Sequence, residues 1–185
     1  MKPPASPLSD GDLALRPWES RDVAAITAAC RDEEIARWLD MVPQPYTESD
    51  ARTYVKQMKQ AWREGSAGSF AVVDSAGGEV VGSIGCRLVD ADSAVMEVGY
   101  WVKREARGRH VATRALKLIA RWALEDLGAE RLQLRADRLN MPSRRVAENA
   151  GFREEGVLRS VRFFPRQNRR VDFVMYSLLP GELDG

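Results

Sequence analysis

The chain contains few of the residues on which metal centres and disulfide frameworks depend, and it has no apolar run of the length that a membrane span needs. Its 185 residues include one histidine and two cysteines, and Cys30 and Cys86 lack the paired spacing of a zinc site. No stretch approaches the roughly 20 consecutive apolar residues that a transmembrane helix needs. The opening residues are polar and proline-rich, unlike a signal peptide. We therefore expect a cytoplasmic protein that binds neither a metal ion nor a membrane.

Net charge is also nearly absent. The 28 Lys and Arg residues are balanced by 27 Asp and Glu residues, which leaves a formal charge of +1. A broad nucleic-acid footprint needs a large basic surface, so no nucleic-acid partner is expected. The apolar fraction of 44% and the charged fraction of 30% are typical of a globular domain with a core of its own.

The hydrophobic pattern predicts one domain over residues 12–180, preceded by a flexible arm at 1–11 and followed by a tail at 181–185. Strand and helix signals alternate in an order typical of an α+β fold: a mostly antiparallel seven-stranded sheet with one parallel pair, and helices on both faces. The predicted strands cover about 12–17, 69–74, 79–89, 93–102, 130–136, 152–163 and 170–179. The predicted helices cover about 21–31, 48–63, 111–127 and 141–150. Ser20 is the predicted cap of the first helix, and Thr47 that of the second, with Asp50 in a box-like position.

A basic, glycine-bearing loop joins one predicted strand to the helix at 111–127. From Lys103 to His110 it contains four cations and one carboxylate, a local excess of +3. The N-terminus of a helix offers unpaired N–H groups and about half a positive charge. Cations and a glycine placed before it form a receptor for phosphate groups. A solvated basic turn is the alternative, and the loop alone does not decide between the two.

A glycine interrupts the strand that leads into this loop. Gly99, within the strand at 93–102, is typical of a bulge or of a close approach by another group. A bulge would turn backbone donors towards a ligand. It would also splay this strand from its parallel partner at 130–136 and open a slot between them. The alternative is that Gly99 makes room for an aromatic neighbour.

Three motifs resemble those of the GNAT acyltransferases in both order and spacing. They are Glu-Val-Gly-Tyr-Trp-Val at 97–102, Arg-Gly-Arg-x-Val-Ala-Thr at 107–113, and an Asn-x-x-Ser at 140–143 that leads to Ala-Glu-Asn-Ala-Gly-Phe at 147–152. More narrowly, they resemble the branch that includes the ribosomal-protein alanine N-acetyltransferases (RimJ/RimL-like). The resemblance covers about residues 12–180. It implies the GNAT fold and acetyl-CoA as cosubstrate.

The resemblance also assigns cofactor contacts. Backbone groups of Tyr100, Trp101 and Val102 would receive the pantetheine arm, while Asn140 and Ser143 would lie beside the pantetheine and the thiol. Asn140 also suits a helix N-cap, and the two roles are compatible. The family's diphosphate motif, Gln/Arg-x-x-Gly-x-Gly/Ala, falls on the segment from Arg107 to Ala112. The implied diphosphate-binding residues are Arg107, Gly108, Arg109, His110, Val111, Ala112 and Thr113.

One residue of the diphosphate motif departs from the family pattern. His110 stands where the family has its middle glycine. An imidazole at this position either crowds the diphosphate or adds a hydrogen bond, and the sequence does not decide which.

Acetyl transfer to an amine needs a neutral nucleophile, a stabilised oxyanion and a leaving thiolate that is protonated. Glu97 is the carboxylate nearest the expected slot, so it is the candidate general base; a salt-bridging glutamate is the alternative. Many GNAT enzymes carry a tyrosine four residues before the Gly-Phe pair, and that position is Ala147 here. Ser143, one helical turn earlier, is left as the candidate to hydrogen-bond the departing sulfur. Proton transfer would then fall largely to solvent.

The acceptor side is expected between the loop at 38–46 and the last hairpin, at 159–170, because loops beside a rigid sheet usually hold specificity. Trp38, Asp40 and Tyr46 are the candidate substrate-binding residues; core packing is the alternative for Trp38. The basic run Arg166–Arg170 is expected at a solvated hairpin tip.

The predicted function is acetyl-CoA-dependent transfer of an acetyl group to a primary amine, directly within a ternary complex. The acceptor is a protein N-terminus or a small molecule, and the enzyme is a monomer or a homodimer. A non-catalytic acyl-CoA sensor is the main alternative, because of His110 and Ala147. A nucleic-acid-binding protein is the third, and the low net charge speaks against it.

Overall fold

The computed structural model describes residues 1–183, so the last two residues of the predicted tail lie outside it. One eight-stranded sheet has the order β1-β2-β3-β4-β5-β6-β8-β7. Its strands are β1 (Leu8–Asp10), β2 (Leu13–Pro17), β3 (Ala67–Asp74), β4 (Val80–Asp90), β5 (Val95–Val102), β6 (Arg131–Asp137), β7 (Arg153–Phe164) and β8 (Arg169–Leu178). The helices are α1 (Val23–Cys30), α2 (Glu33–Trp38), α3 (Glu48–Glu64), α4 (Val111–Arg121) and α5 (Met141–Asn149).

The predicted α+β class is confirmed, and the strand count is corrected from seven to eight. Every neighbouring pair in the sheet is antiparallel except β5 and β6. Helices pack on both faces. On β3, Phe70 and Val72 belong to a core cluster with α4, whereas the alternating Ala71 and Val73 belong to a second cluster with α1 and α3. Successive side chains of a strand point to opposite faces of the sheet, so β3 contributes residues to both cores.

The extra strand lies in the segment expected as a flexible arm. Leu8–Asp10 pairs with β2 through a turn at Gly11, whose φ is +56°. Arg114 of α4 donates to Asp10 at 2.8 Å and fixes this edge to the helix. The ammonium group of Met1 donates to the carbonyl of Gly65 at 2.8 Å. A three-residue strand is too short for periodicity to reveal, and its partners lie far away in sequence.

Most helix boundaries follow the predicted caps. Thr47 and Asp50 form a capping box at the start of α3, and Gly65 closes that helix with a φ of +72°. The first helix differs, because Glu19 rather than Ser20 caps a 3₁₀ turn at Ser20–Asp22 that leads into α1. The short helix α2 was not predicted. Within the described residues no helix is long and apolar enough to cross a bilayer.

Candidate active site

The parallel strands β5 and β6 form a wedge. They pair at three positions, ending with Glu97 opposite Gln133. Beyond that point β5 continues to Val102 and β6 to Asp137 without pairing to each other. A Cβ added to Gly99 would meet no atom within 4 Å, so the sheet face at this position is uncovered as well. The predicted slot between the two strands is therefore present.

The sequence suggested that a bulge at Gly99 opens the wedge, and this prediction is wrong. Gly99 pairs in regular register with Gly85 of β4, and the irregularity in this ladder lies between Leu88 and Asp90. The slot opens because β5 and β6 stop pairing after Glu97, while β5 stays in regular register with β4 from Gly99 to Val102. No local sequence pattern specifies where two strands so far apart in the chain stop pairing.

Alternation along β5 decides which backbone groups face the wedge. The N–H of Lys103 donates to Val81 on β4, and the carbonyl of Trp101 lies against Gly82 of the same strand. Because successive strand residues direct their backbone groups to opposite sides, those of Tyr100 and Val102 point into the wedge. Two of the three predicted pantetheine contacts thus face the slot, and the Trp101 backbone faces β4.

The indole of Trp101 serves the second core instead. It stacks on Trp18, with ring centroids 6.3 Å apart and planes inclined by 26°. Trp18 in turn donates from Nε1 to Ser69 Oγ at 3.1 Å. This packing holds the open end of β5 against the elements that precede α1.

Helix α4 begins at the foot of the wedge with an uncapped N-terminus. Its N-cap, His110, is in the left-handed region at a φ of +57°, and the side chain makes no capping hydrogen bond. The first turn holds no acidic residue. The N–H groups of Val111, Ala112 and Thr113 precede the first helical bond, from Arg114 N–H to the carbonyl of His110. Three backbone donors and the helix dipole therefore converge where an anion can bind.

The left-handed conformation explains the motif around His110. Gly108 has a φ of +77° and His110 one of +57°, a region that glycine enters without steric cost. Histidine is among the residues that enter it more often than most. The imidazole therefore replaces a glycine at a position where glycine is the easiest choice.

The basic side chains of the loop have different tasks. Arg107 lies 2.5 Å from Asp32 at the start of α2 and donates from Nε to the carbonyl of Val102 at 3.2 Å. Lys103 pairs with Glu79 at 2.9 Å. Arg109 is exposed and lines a small cavity beside Val111 and Arg114. Arg107 thus ties the loop to α2, and Arg109 is an exposed cation beside the start of α4.

Helix α5 closes the other side of the wedge. Asn140 is its N-cap, and the Oδ1 atom accepts the N–H of Ser143 at 3.1 Å. The phenol of Tyr100 reaches across from β5 and lies 3.0 Å from Ser143 Oγ and 3.1 Å from the carbonyl of the same residue. Burial raises the pKa of Tyr100 to about 12, so the phenol is a neutral donor at physiological pH. Three predicted cofactor residues are thus brought together.

Glu97 is held in an ion-pair network. Its carboxylate lies 2.7 Å from Arg87 and 2.6 Å from Arg135, and Gln133 donates to it at 3.2 Å. Burial favours the neutral acid, but the hydrogen bonds and charges of the two arginines prevail and lower the pKa of Glu97. A carboxylate so engaged is a weak base. It also lies at the last paired position of β5 and β6, where the wedge is still closed.

The three candidate acceptor residues do not form one wall. Tyr46 is 5% exposed and packs in the second core with Cys30 and Val55, so it faces no open surface. The indole of Trp38 donates to Glu34 at 2.8 Å. Asp40 lies 3.0 Å from Arg162 of β7, and this contact brings together the loop after α2 and the last hairpin.

The tip of that hairpin is bound to α2, whereas the sequence suggested a solvated tip. Arg166 donates to the carbonyls of Ala36 and Leu39 at 2.9 and 2.8 Å and to that of Val42. Gln167 donates to the carbonyl of Arg37 at 2.6 Å. These carbonyls belong to the C-terminal turn of α2 and the loop after it, groups that lack helical partners. No sequence motif links residues about 130 positions apart.

The end of β6 carries a further buried ion pair. Asp137 is 5% exposed, accepts the N–H of Leu139 at 2.9 Å and lies 2.5 Å from Arg169. Sequence reasoning did not single out Asp137, and it placed Arg169 in a solvated basic run. The available signal was a carboxylate at the end of a strand in which apolar and polar residues alternate. Within the described residues no group of three or more side chains is arranged to hold a metal ion.

The chain thus combines a parallel strand pair that stops pairing after Glu97 with a helix that begins without a side-chain cap. A sequence model described as "Acetyltransferase (GNAT) domain" matches residues 12–153. The chain belongs to this family, and it is therefore an acyltransferase of the N-acetyltransferase type.

Particular proteins are similar to it over almost their whole length. Bacillus subtilis (strain 168) YdaF, which carries the provisional name of ribosomal N-acetyltransferase, is 31% identical over 179 residues, 94% of each chain. The Bacillus licheniformis N-acetyltransferase p20 is 26% identical over 174 residues, 94% of this chain and 96% of p20.

The fold is shared with solved structures. Mycobacterium smegmatis RimJ, in complex with CoA-disulfide, superposes with a TM-score of 0.87 at 23% identity. The match covers 100% of this chain and 93% of RimJ. The predicted resemblance to the GNAT family, including its ribosomal-protein acetyltransferases, is confirmed.

Proposed function

We propose that the protein transfers an acetyl group from acetyl-CoA to a primary amine, directly and within a ternary complex. The observation that carries the proposal is the uncapped N-terminus of α4 at the foot of an open wedge. A helix N-terminus binds phosphate oxygens, and the slot above it suits an extended thioester arm. Membership in the GNAT family and the CoA-disulfide bound to RimJ support the same reading.

The residues around the wedge fit each part of the cofactor. The diphosphate would accept hydrogen bonds from the N–H groups of Val111, Ala112 and Thr113, with Arg109 as an added cation. Gly108 and His110 shape this turn. The pantetheine arm would pair with the backbone of Tyr100 and Val102, like an added strand. Asn140 and Ser143 would then lie beside its thiol end.

Direct transfer fits this arrangement. The nitrogen of a neutral amine attacks the thioester carbonyl, the C–S bond breaks, and the sulfur leaves with its electron pair. A backbone N–H of β5 at the wedge would stabilise the oxyanion. Glu97 is held by two arginines, so we assign removal of the amine proton to solvent. Ser143 would hydrogen-bond the departing sulfur.

The acceptor would enter between the loop after α2 and the last hairpin. Trp38 and Asp40 lie on this side, and the Asp40–Arg162 pair joins the two walls. We propose the free N-terminus of a protein as the acceptor, because a flexible chain end can reach a thioester in a narrow wedge. The ribosomal name of YdaF agrees with this choice.

Thermal melting with acetyl-CoA, CoA and RNA tests the binding step. A ligand at 100 times its Kd adds about 2.7 kcal/mol to the free energy of unfolding. We expect stabilisation by both CoA species and none by RNA. Stabilisation by RNA alone would contradict the proposal.

An acceptor screen with thiol detection tests the chemistry. Peptides with a free N-terminus are expected to release CoA, and the same peptides blocked at the N-terminus should release none. Binding of acetyl-CoA without thiol release from any amine would instead identify a non-catalytic acyl-CoA sensor.

A further inference from the structure

Tyr100 contributes its side chain as well as its backbone to the proposed site. It stands on β5 beyond the last position paired with β6, and its phenol spans the wedge to the first turn of α5. The phenol oxygen lies 3.0 Å from Ser143 Oγ and 3.1 Å from the carbonyl oxygen of Ser143. This contact between β5 and α5 forms the inner wall of the wedge.

Ser143 has little freedom apart from the torsion of its hydroxyl group. Its N–H is fixed by Asn140 Oδ1 at 3.1 Å, and its backbone belongs to the first turn of α5. A serine in a helix commonly directs its hydroxyl group to a backbone carbonyl of the preceding turn. Here the hydroxyl group is bonded to a phenol on β5, and either oxygen can be the donor. The directions of the two hydroxyl hydrogens therefore depend on each other.

The pair has two hydrogen-bonding states, because a phenol carries one hydrogen. When Tyr100 donates to the carbonyl of Ser143, the serine hydroxyl donates to the phenol oxygen. When Tyr100 donates to Ser143 Oγ, the serine hydrogen is free to point into the wedge. The second state offers a donor to a sulfur atom, and the first does not. Both states fit the observed distances.

We infer that Tyr100 is a positioning residue that turns the Ser143 hydroxyl towards the thiolate as CoA departs. The inference rests on the proposed function and names a residue that acts through Ser143. The phenol of Tyr100 keeps its proton. Its hydrogen bond moves from the carbonyl oxygen of Ser143 to Oγ of the same residue. The C–S bond breaks, the sulfur takes the electron pair and accepts the serine hydrogen bond, and solvent later protonates it.

The test compares Tyr100→Phe, Ser143→Ala and the double variant. Tyr100→Phe removes one oxygen atom and leaves the ring in place. We expect kcat to fall about three- to tenfold, the effect of one neutral hydrogen bond, while KM for acetyl-CoA stays within about twofold. Ser143→Ala should lower kcat by less than about 100-fold. The double variant should be no slower than Ser143→Ala, because Tyr100 acts through that hydroxyl.

A second measurement reads the same interaction without turnover. The ultraviolet absorbance of thiolate reports the pKa of the CoA thiol in the binary complex. We expect Tyr100→Phe and Ser143→Ala each to raise that pKa, and the double variant to raise it no further. Tyr54→Phe is the matched control, since it removes a phenol hydrogen bond to Ser69 at 2.8 Å in the second core.

The outcomes separate this inference from the proposed function. An unchanged kcat and thiol pKa in Tyr100→Phe, or losses that multiply in the double variant, overturn the role of Tyr100 alone. A parent protein that binds no CoA overturns the proposed function and the inference together. A fall in kcat equal to that of Tyr54→Phe would show a general packing effect and would also overturn the inference.

Discussion

Nε of Arg162 on β7 lies 3.0 Å from Oδ2 of Asp40, 122 residues earlier in the chain. The contact joins the two walls between which the acceptor is proposed to enter. Asp40 is 15% exposed and Arg162 is 41% exposed, so the pair is partly shielded from water. Arg166 reinforces the same junction through backbone carbonyls of α2 and the loop after it.

Loss of this pair is expected to affect the acceptor and not the cofactor. In Asp40→Asn, KM for the amine should rise about three- to tenfold, since a partly exposed pair contributes about 1 kcal/mol. The Kd of CoA, measured by calorimetry, should stay within about twofold. Glu48→Gln is the matched control, because it breaks an exposed pair with Arg52 elsewhere. Weaker CoA binding with an unchanged amine KM would contradict this assignment.

The two arginines of the loop are expected to separate binding from stability. Arg109→Ala should weaken CoA binding about tenfold at low salt and should reduce the salt dependence, because it removes one exposed cation from the anion site. Its melting temperature should not change. Arg107→Ala should lower the melting temperature, because it removes the bonds to Asp32 and Val102. If Arg107→Ala weakened CoA binding and Arg109→Ala lowered the melting temperature instead, the diphosphate contact would belong to Arg107.

The histidine at the start of α4 gives a third prediction. Glycine adopts the φ of +57° without steric cost. The free energy of unfolding of His110→Gly should therefore lie within about 1 kcal/mol of that of the parent protein. The variant should bind CoA at least as tightly, because the proposed donors are backbone N–H groups. Gly108 has a φ of +77°, so the free energy of unfolding of Gly108→Ala, measured by urea denaturation, should instead fall by about 1 kcal/mol or more. If His110→Gly binds CoA ten times more weakly, the imidazole itself contacts the ligand.

Glu97→Gln tests whether this carboxylate is a base. The kcat of the variant should stay within about fivefold of the parent value, because two arginines already hold the carboxylate. A fall in kcat beyond about 100-fold would show that Glu97 is the general base. Stability should fall by about 1–2 kcal/mol at pH 7.

The same variant has an expected pH dependence. The pKa of Glu97 is lowered in the folded state, so its stabilising effect is complete above the unfolded pKa of about 4.3 and is lost as the pH falls further. The difference between parent and Glu97→Gln in urea denaturation should therefore shrink below about pH 4. A difference that grows on acidification would mean that burial, and not the arginines, controls this group.

Sequence patterns revealed the features that are local in the chain. The capping box of Thr47 and Asp50, the N-cap Asn140 and the uncapped start of α4 each depend on a few consecutive residues. Alternation and turn glycines then gave seven of the eight strands. The order of these elements was sufficient to predict the parallel pair of β5 and β6, because a strand–helix–strand unit admits few arrangements.

The features that were missed depend on contacts between distant residues. The edge strand β1 acquires its partners from β2 and from Arg114, and the hairpin tip acquires its partners from α2. The sequence left Glu97 open between a general base and a salt-bridging residue, because its partners Arg87 and Arg135 lie on other strands. The Tyr100–Ser143 bond joins residues 43 positions apart. Periodicity and spacing in the sequence indicate on which face of a helix or strand a residue lies. They do not indicate which distant residue it contacts.

A structure of the CoA complex at high resolution tests the central claim most directly. The account predicts that the diphosphate accepts hydrogen bonds from the N–H groups of Val111, Ala112 and Thr113. It also predicts a pantetheine arm along Tyr100 and Val102, with the sulfur within hydrogen-bond distance of Ser143 Oγ. Electron density for CoA outside the wedge, with β5 and β6 closed beyond Glu97, would contradict the account.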